Sequence, residues 1–357
     1  MTAAVTALPL SAVRRALHEA AGATWASVPA GPDASLPVPR SYGDPAAEYR
    51  AAREAAVVID RVDRGLLRVF GRDPVRMIHG LVSNDVASLE PGGSVYATML
   101  TAKGRLVADL RVIRRDTDLL LEADVGALPG VRRHLSRFVP PLFARVEDAG
   151  DAFAVLGLYG PGAPALLSSA QNAAAGLLVI GADPIGVPGH DLIVPAAMLA
   201  GVWAALSAAG ARPAGHAALD VLRIEAGVPR WSAELDEEVI PLEAGLGDRA
   251  ISTTKGCYTG QEVIIRILHR GHVNRHLRGL LLGEHPAPSR GAALFRAGSD
   301  RPVGHVTSSC LSPRLEQTVA LAYIRREVEP GEAVRLGNPA GAEARVVTLP
   351  FPDTAGP

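Results

Sequence analysis

The string KGCYTGQE, from Lys255 to Glu262, places one of only two cysteines between a lysine and a predicted helix start. Gly256 lets the backbone turn sharply, and Gly260 stands where the loop passes into a helix carrying Ile264, Ile265 and Leu268. The amides and partial positive charge at a helix N-terminus favour a nearby thiolate, and Lys255 adds to that effect. This makes Cys257 a candidate reactive or ligand-facing thiol. The competing reading is structural: a free cysteine most often ends as a small buried apolar residue, and on chemistry alone that is the expectation. Gln261 and Glu262 are read as braces that reach the free amides of the loop and hold Cys257 in place.

Other chemistry-bearing residues follow the string. His269, His272 and His276 recur at spacings of three and four on a possible helix, which invites a metal reading. Gly271 interrupts that helix, and Arg270, Arg275 and Arg278 crowd it with positive charge, so no metal site is assigned. A Cys–His nucleophile using Cys257 with His269 or His272 lacks any third, orienting residue in the sequence. Arg266 and Arg275 offer planar forks that suit a carboxylate, and an exposed basic face is the alternative.

The elements that must position these residues are read from the rest of the chain. With 357 residues, two or three domains are expected. Thirty-six basic against 37 acidic residues leave a net charge of −1, which argues against a nucleic-acid or anionic-membrane partner. Two cysteines more than fifty residues apart form no disulfide framework and no CxxC pair, and the expected compartment is the cytoplasm. No targeting signal is read at the N-terminus, and the longest apolar runs, such as Leu192 to Leu206, fall short of a membrane span.

Residues 1–45 read as a helix (Ser11 to Ala21) followed by a Pro/Gly-rich linker arm from Pro29 to Pro45. Residues 46–275 read as an α+β body built from two related halves. In it Gly65 to Phe70 is a strand, and a helix opens at Asp73 and Pro74 and ends near Asn84. Strands Val95 to Leu100 and Leu106 to Arg114 come next, and the strand–helix–strand pattern restarts at Phe153. From residue 276 to 357, short strands alternating with Gly/Pro turns predict a separate small β-barrel that carries Cys310.

KGCYTGQE, continued by Arg266, Arg270, Gly271, Arg275 and Leu277, resembles the signature of the YgfZ family of folate-binding proteins, relatives of the glycine cleavage T-protein (aminomethyltransferase). LRIEAG from Leu222, PLEAGL from Pro241, SNDV from Ser83 and GHVTSSCLSP from Gly304 are similar to the wider superfamily. The resemblance covers roughly residues 45 to 345, and implies a three-lobed T-protein-like fold that binds tetrahydrofolate or another reduced folate. It assigns Glu225 to the pterin, whose adjacent N–H donors suit a bidentate carboxylate. It brings in Asn84 through SNDV, and Arg266 and Arg275 as partners for the glutamate tail of folate.

Asp109 lies in GRLVADL, similar to a T-protein segment in which two acidic residues stand side by side. Here the first of the pair is Ala108, a departure that weakens the expectation of proton handling at the folate amine. Asp109 is left to bind the folate or to turn a strand end. T-proteins usually carry KGDFIG where this chain has KGCYTG, with Tyr258 keeping the aromatic. The thiol is the YgfZ-type mark, and it implies assembly or repair of iron–sulfur enzymes, which would be transient partners. With Cys310 as the only other thiol, no permanently bound metal is expected.

Three functions are therefore carried forward. The leading one is a tetrahydrofolate-binding accessory protein for iron–sulfur enzymes, with Cys257 as the reactive thiol. The alternatives are a folate-dependent aminomethyl or one-carbon transferase, and a non-catalytic interaction module that has lost its ligand.

Overall fold

Val57–Asp60 and Phe153–Tyr159 are almost wholly apolar, the pattern of strands buried on both faces, and they lie side by side in the core of the first half of the chain. The computed structural model describes residues 10–29, 34–182 and 185–352. Residues 1–9 and 30–33 of the expected arm, and 353–357 of the expected barrel domain, lie outside the described residues. The chain divides into two compact units: Met1–Pro74, Leu89–Ser94 and Arg111–Leu219 form one, and Val75–Ser88, Val95–Leu110 and Asp220–Pro357 form the other.

In the first unit a five-stranded sheet runs in the order Leu178–Ala182, Gly189–Pro195, Phe153–Tyr159, Val57–Asp60, Arg212–Pro213. Helices Ala163–Ala173 and Leu199–Ala208 contribute to its core, where Leu156, Leu158, Leu192, Val202 and Leu206 are fully buried. A second ladder pairs Arg64–Phe70 antiparallel with both Asp118–Asp124 and Arg145–Asp148. Leu66, Ile113 and Leu120 form a further buried cluster with Ile193.

The Pro/Gly-rich arm departs from expectation. Ser35–Ser41 is a strand paired antiparallel with Thr24–Pro29, and Pro37 and Pro39 stand opposite Ser27 and Trp25. Two residues apart on a strand, both prolines lack their N–H on the same edge, so a two-stranded ladder whose outer edge meets no further strand accommodates them. The arm then enters helix Pro45–Glu54, which the sequence reading missed. Asp44 caps it by accepting from the Ala46 amide at 2.9 Å, and Pro45 occupies the first turn.

Strands Ser94–Leu100 and Leu106–Arg114, whose residues Val95–Leu110 fall in the second unit, are hydrogen-bonded neighbours, and helix Pro74–His79 precedes them. That helix ends five residues before the expected stop at Asn84. Six strands close a barrel: Arg275–Leu281, Gln317–Arg325, Pro302–Ser312, Ala293–Phe295, Ala333–Leu336 and Glu343–Val347. Their alternating side chains fill it with Leu280, Leu294, Val306, Ala320, Ile324 and Val346. The α+β class and the C-terminal barrel thus match the sequence reading. No helix among the described residues is long and apolar enough to cross a membrane.

Leu280 is fully buried in a barrel too small to collapse around a void. Leu280→Ala is expected to cost about 2–5 kcal/mol, measured as a lower midpoint in urea unfolding of the full chain; a loss within error of zero would show that the barrel interior repacks.

Candidate functional site

Lys255 is buried, and all three of its ammonium protons are used by the backbone. Nζ donates to the carbonyls of Val82 at 2.6 Å and Asn84 at 3.1 Å, and also to that of His79. These acceptors lie just past the helix Pro74–His79, so the lysine satisfies carbonyls at the helix end and in the turn where the sequence reading had continued the helix. Burial pushes the Lys255 amine down to about 8, against a weak opposing pull from Asp85. The same environment, with the charge of Lys255, lowers His79.

This corrects the role expected of Lys255. Its charge is turned into the protein rather than offered to the thiol. Cys257 itself is exposed, which overturns the expectation of a small buried residue. Tyr258 takes the buried place instead, its ring 5.2 Å from Lys255 Nζ. Burial raises the Tyr258 phenol, and its hydroxyl has no hydrogen-bond partner among the described residues.

The loop closes against the turn between the two strands. Gly260 adopts φ +84°, and a Cβ there would stand 2.5 Å from the Thr101 carbonyl oxygen, so only glycine fits. It is the N-cap of helix Gln261–Arg270 and supplies no side-chain cap. Glu262 is exposed and Gln261 half-buried, so the bracing expected of them falls to Lys255. Gly256 is exposed and open to solvent.

Asn84 carries the arrangement onward. Its Nδ2 donates to the Tyr96 carbonyl at 2.9 Å, and its Oδ1 accepts from the Asp85 amide. Tyr96 in turn donates its hydroxyl to Asp109 Oδ2 at 2.9 Å. Asp109 lies in mid-strand rather than at a strand end, and its buried Oδ1 meets no hydrogen-bond donor among the described residues. Such an atom is costly unless a ligand or ordered water supplies the proton. Ala108, the departure from the paired acids, points into the core and is fully buried. Successive strand residues face opposite ways, so the substitution leaves the Asp109 face intact. Tyr96 is the site residue the sequence reading missed; a tyrosine on the neighbouring strand gave no signal without the pairing.

Glu225 is held in a separate cluster. It is 2% exposed rather than on a solvated helix face. Ser312 donates to its Oε1, the Arg314 amide donates to the same oxygen at 3.4 Å, and Arg314 Nε lies 3.8 Å from Oε2. Arg275 is engaged as well: Nε donates to Glu243 Oε2 at 3.1 Å, and the guanidinium lies 4.4 Å from the Tyr323 ring centre. Arg266 is exposed on helix Gln261–Arg270. That helix stops before His272, and His276 is on a barrel strand, so the three histidines do not share a helix. Among the described residues no group of three or more His, Cys, Asp or Glu side chains could hold a metal.

Comparison with known proteins places this arrangement. Residues 16–177 and 185–255 match the GCVT N-terminal domain, and residues 275–353 match the glycine cleavage T-protein C-terminal barrel domain. The chain is similar to an aminomethyltransferase of Saccharopolyspora erythraea, 30% identical, with 94% of this chain and 96% of that protein covered. It is 31% identical to an aminomethyltransferase of Rubrobacter xylanophilus, covering 88% of each. The fold is similar to the crystal structure of glycine cleavage system aminomethyltransferase T from Bartonella henselae, with a TM-score of 0.84, 23% identity, and 98% of this chain and 99% of that one covered. With both domains matched in order along nearly its whole length, the chain belongs to the glycine cleavage T-protein family.

Proposed function

We propose that the protein binds a reduced folate and transfers a one-carbon unit of the aminomethyl class to or from it, with Asp109 as the proton-handling group. The observation that carries this reading is the buried Asp109 Oδ1 without a donor, beside an Oδ2 held by Tyr96. The aminomethyltransferase relatives support it, and Asp109, the member of the acidic pair that this chain keeps, carries the donor-free oxygen.

A bound reduced folate supplies a nucleophilic amine that takes the one-carbon unit. Asp109 Oδ1 accepts the proton which that amine gives up as its new bond to carbon forms, while the bond from that carbon to the donor breaks and its electron pair leaves with the donor. Tyr96 fixes the carboxylate through Oδ2, so that the other oxygen faces the ligand without rotating. Asn84 anchors the Tyr96 backbone, and Lys255 anchors Asn84. Glu225, oriented by Ser312 and Arg314, is the acceptor for pterin N–H groups.

One observation favours a second reading. Cys257 is exposed at the point where the chain resembles the YgfZ family rather than the aminomethyltransferases, which suits a folate-binding accessory protein acting on iron–sulfur enzymes. A thiolate is a soft ligand for iron, and an exposed one is accessible to a partner.

Two variants separate the readings. Asp109→Asn is expected to lower one-carbon transfer in a purified assay with tetrahydrofolate by about 10²–10⁴-fold, with tetrahydrofolate affinity within a few-fold of the parent; unchanged turnover sinks the transferase reading. Cys257→Ser is expected to leave that turnover intact. If the accessory reading holds, the same variant lowers iron–sulfur enzyme activity in cells without changing folate affinity, and full activity in those cells removes it.

A further inference from the structure

A cavity of about 460 Å³ in the first unit is lined by Arg68, Arg114, Arg115, Asp116, Thr117 and Asp118 among others. That volume is within the range of small-molecule sites, about 300–1,000 Å³. None of these residues belongs to the folate scheme above.

The cationic groups in its wall are unusually fixed. Arg115 Nε and Nη2 donate to the two oxygens of Asp118 at 2.5 and 2.6 Å, and Arg68 Nε donates to Oδ2 at 2.5 Å. Burial works against the Asp118 charge, but the hydrogen bonds from Arg115 and Arg68 outweigh it and hold the carboxyl below its ordinary value. Each guanidinium is also laid over a ring, Arg115 at 5.4 Å from the centre of Phe153 and Arg68 at 4.8 Å from that of Phe70. Arg68 spends Nη1 on Glu147 at 3.0 Å. Arg114 donates one Nη to the Leu89 carbonyl. Among the described residues, the Nε and second Nη of Arg114 and the Nη1 of Arg115 have no protein partner. A long flexible side chain ordinarily loses rotamer freedom when it binds an anion. Here the pairing with Asp118 has already removed that freedom for two of the three arginines.

We propose that this cavity binds the phosphoryl group of a small phosphorylated molecule, with Arg114 and the outer edge of Arg115 as donors. A carboxylate is satisfied by one guanidinium fork, whereas a phosphoryl group presents three oxygens and draws donors from more than one arginine. The lining carries three guanidiniums and two carboxylates, and Glu147 neutralises Arg68 from outside it, so a ligand meets the remaining donors of Arg114 and Arg115 rather than a net positive wall. Asp116, exposed at the rim, opposes the ligand and weakens it.

The test titrates the full chain with inorganic pyrophosphate and, separately, with citrate, at ionic strength held constant with chloride, by calorimetry and by thermal unfolding. Saturable pyrophosphate binding with Kd below about 1 mM supports the proposal. Arg114→Gln is expected to weaken it by roughly tenfold or more, with the Tm of the unligated protein lowered by no more than a few degrees through loss of the bond to Leu89, and Asp116→Asn to tighten it. The proposal is overturned by the absence of saturable pyrophosphate binding, by Arg114→Gln binding as tightly as the parent, or by citrate binding where pyrophosphate does not.

Discussion

The Lys255 ammonium, buried and shared among three backbone carbonyls, is the interaction on which the candidate site depends. Removing a charge of that size from water costs several kcal/mol after relaxation, roughly. Three charge-assisted hydrogen bonds at about 1.5–3 kcal/mol each offset part of that cost, and the downward shift of the amine reflects the remainder. They hold only if the carbonyls of His79, Val82 and Asn84 converge on one point. The turn after helix Pro74–His79 is therefore fixed by a residue far away in sequence. With Lys255 turned inward and Tyr258 packed beneath it, Cys257 lies exposed in the short stretch between these two buried side chains. The orientation of the thiol is a consequence of the lysine's burial.

From that anchor a continuous set of hydrogen bonds reaches the carboxylate: Lys255 to Asn84, Asn84 to the backbone of Tyr96, and the Tyr96 hydroxyl to Asp109. The Asn84 and Tyr96 links are 2.9 Å each, and the flexible Lys255 side chain is fixed by its three acceptors, so little freedom remains at the Asp109 carboxylate. Preorganisation of this kind has value at a reacting centre, where a carboxylate that must rotate loses part of its effect. The sequence reading took KGCYTGQE and SNDV as separate marks of resemblance. In the structure they are two ends of one support.

What was legible in the sequence was the periodic and the punctuated. The strands Ser94–Leu100 and Leu106–Arg114 and the C-terminal barrel were readable because apolar residues alternate between glycine and proline turns. The arm was misread because Pro37 and Pro39 look like breakers until their common edge and the two-stranded pairing are known. Lys255 was misread for a different reason: a lysine in a loop is ordinarily solvated, and nothing local reports that three carbonyls wait for it. Tyr96 was invisible because its importance lies in a cross-strand contact thirteen positions away. Residues that act through backbone carbonyls or across strands leave no motif.

The two cysteines illustrate how environment, rather than residue type, sets chemistry. Burial, with Glu225 and Asp220 nearby and only partly countered by Arg223, pushes the Cys310 thiol up to about 12. That environment disfavours the thiolate, which makes Cys310 a poor nucleophile and a poor ligand beside an exposed thiol. Thiol chemistry in this chain is thereby confined to Cys257. Any reaction that consumes two thiols, whether disulfide exchange or the holding of a cluster between sulfurs, must draw its second sulfur from another molecule. The proton transfer proposed at Asp109 carries no such requirement for a second protein group, because the carboxylate and its Tyr96 support both come from this chain. The two proposed chemistries therefore make different demands: one needs a folate and a one-carbon donor beside a carboxylate already in place, the other a sulfur from a partner.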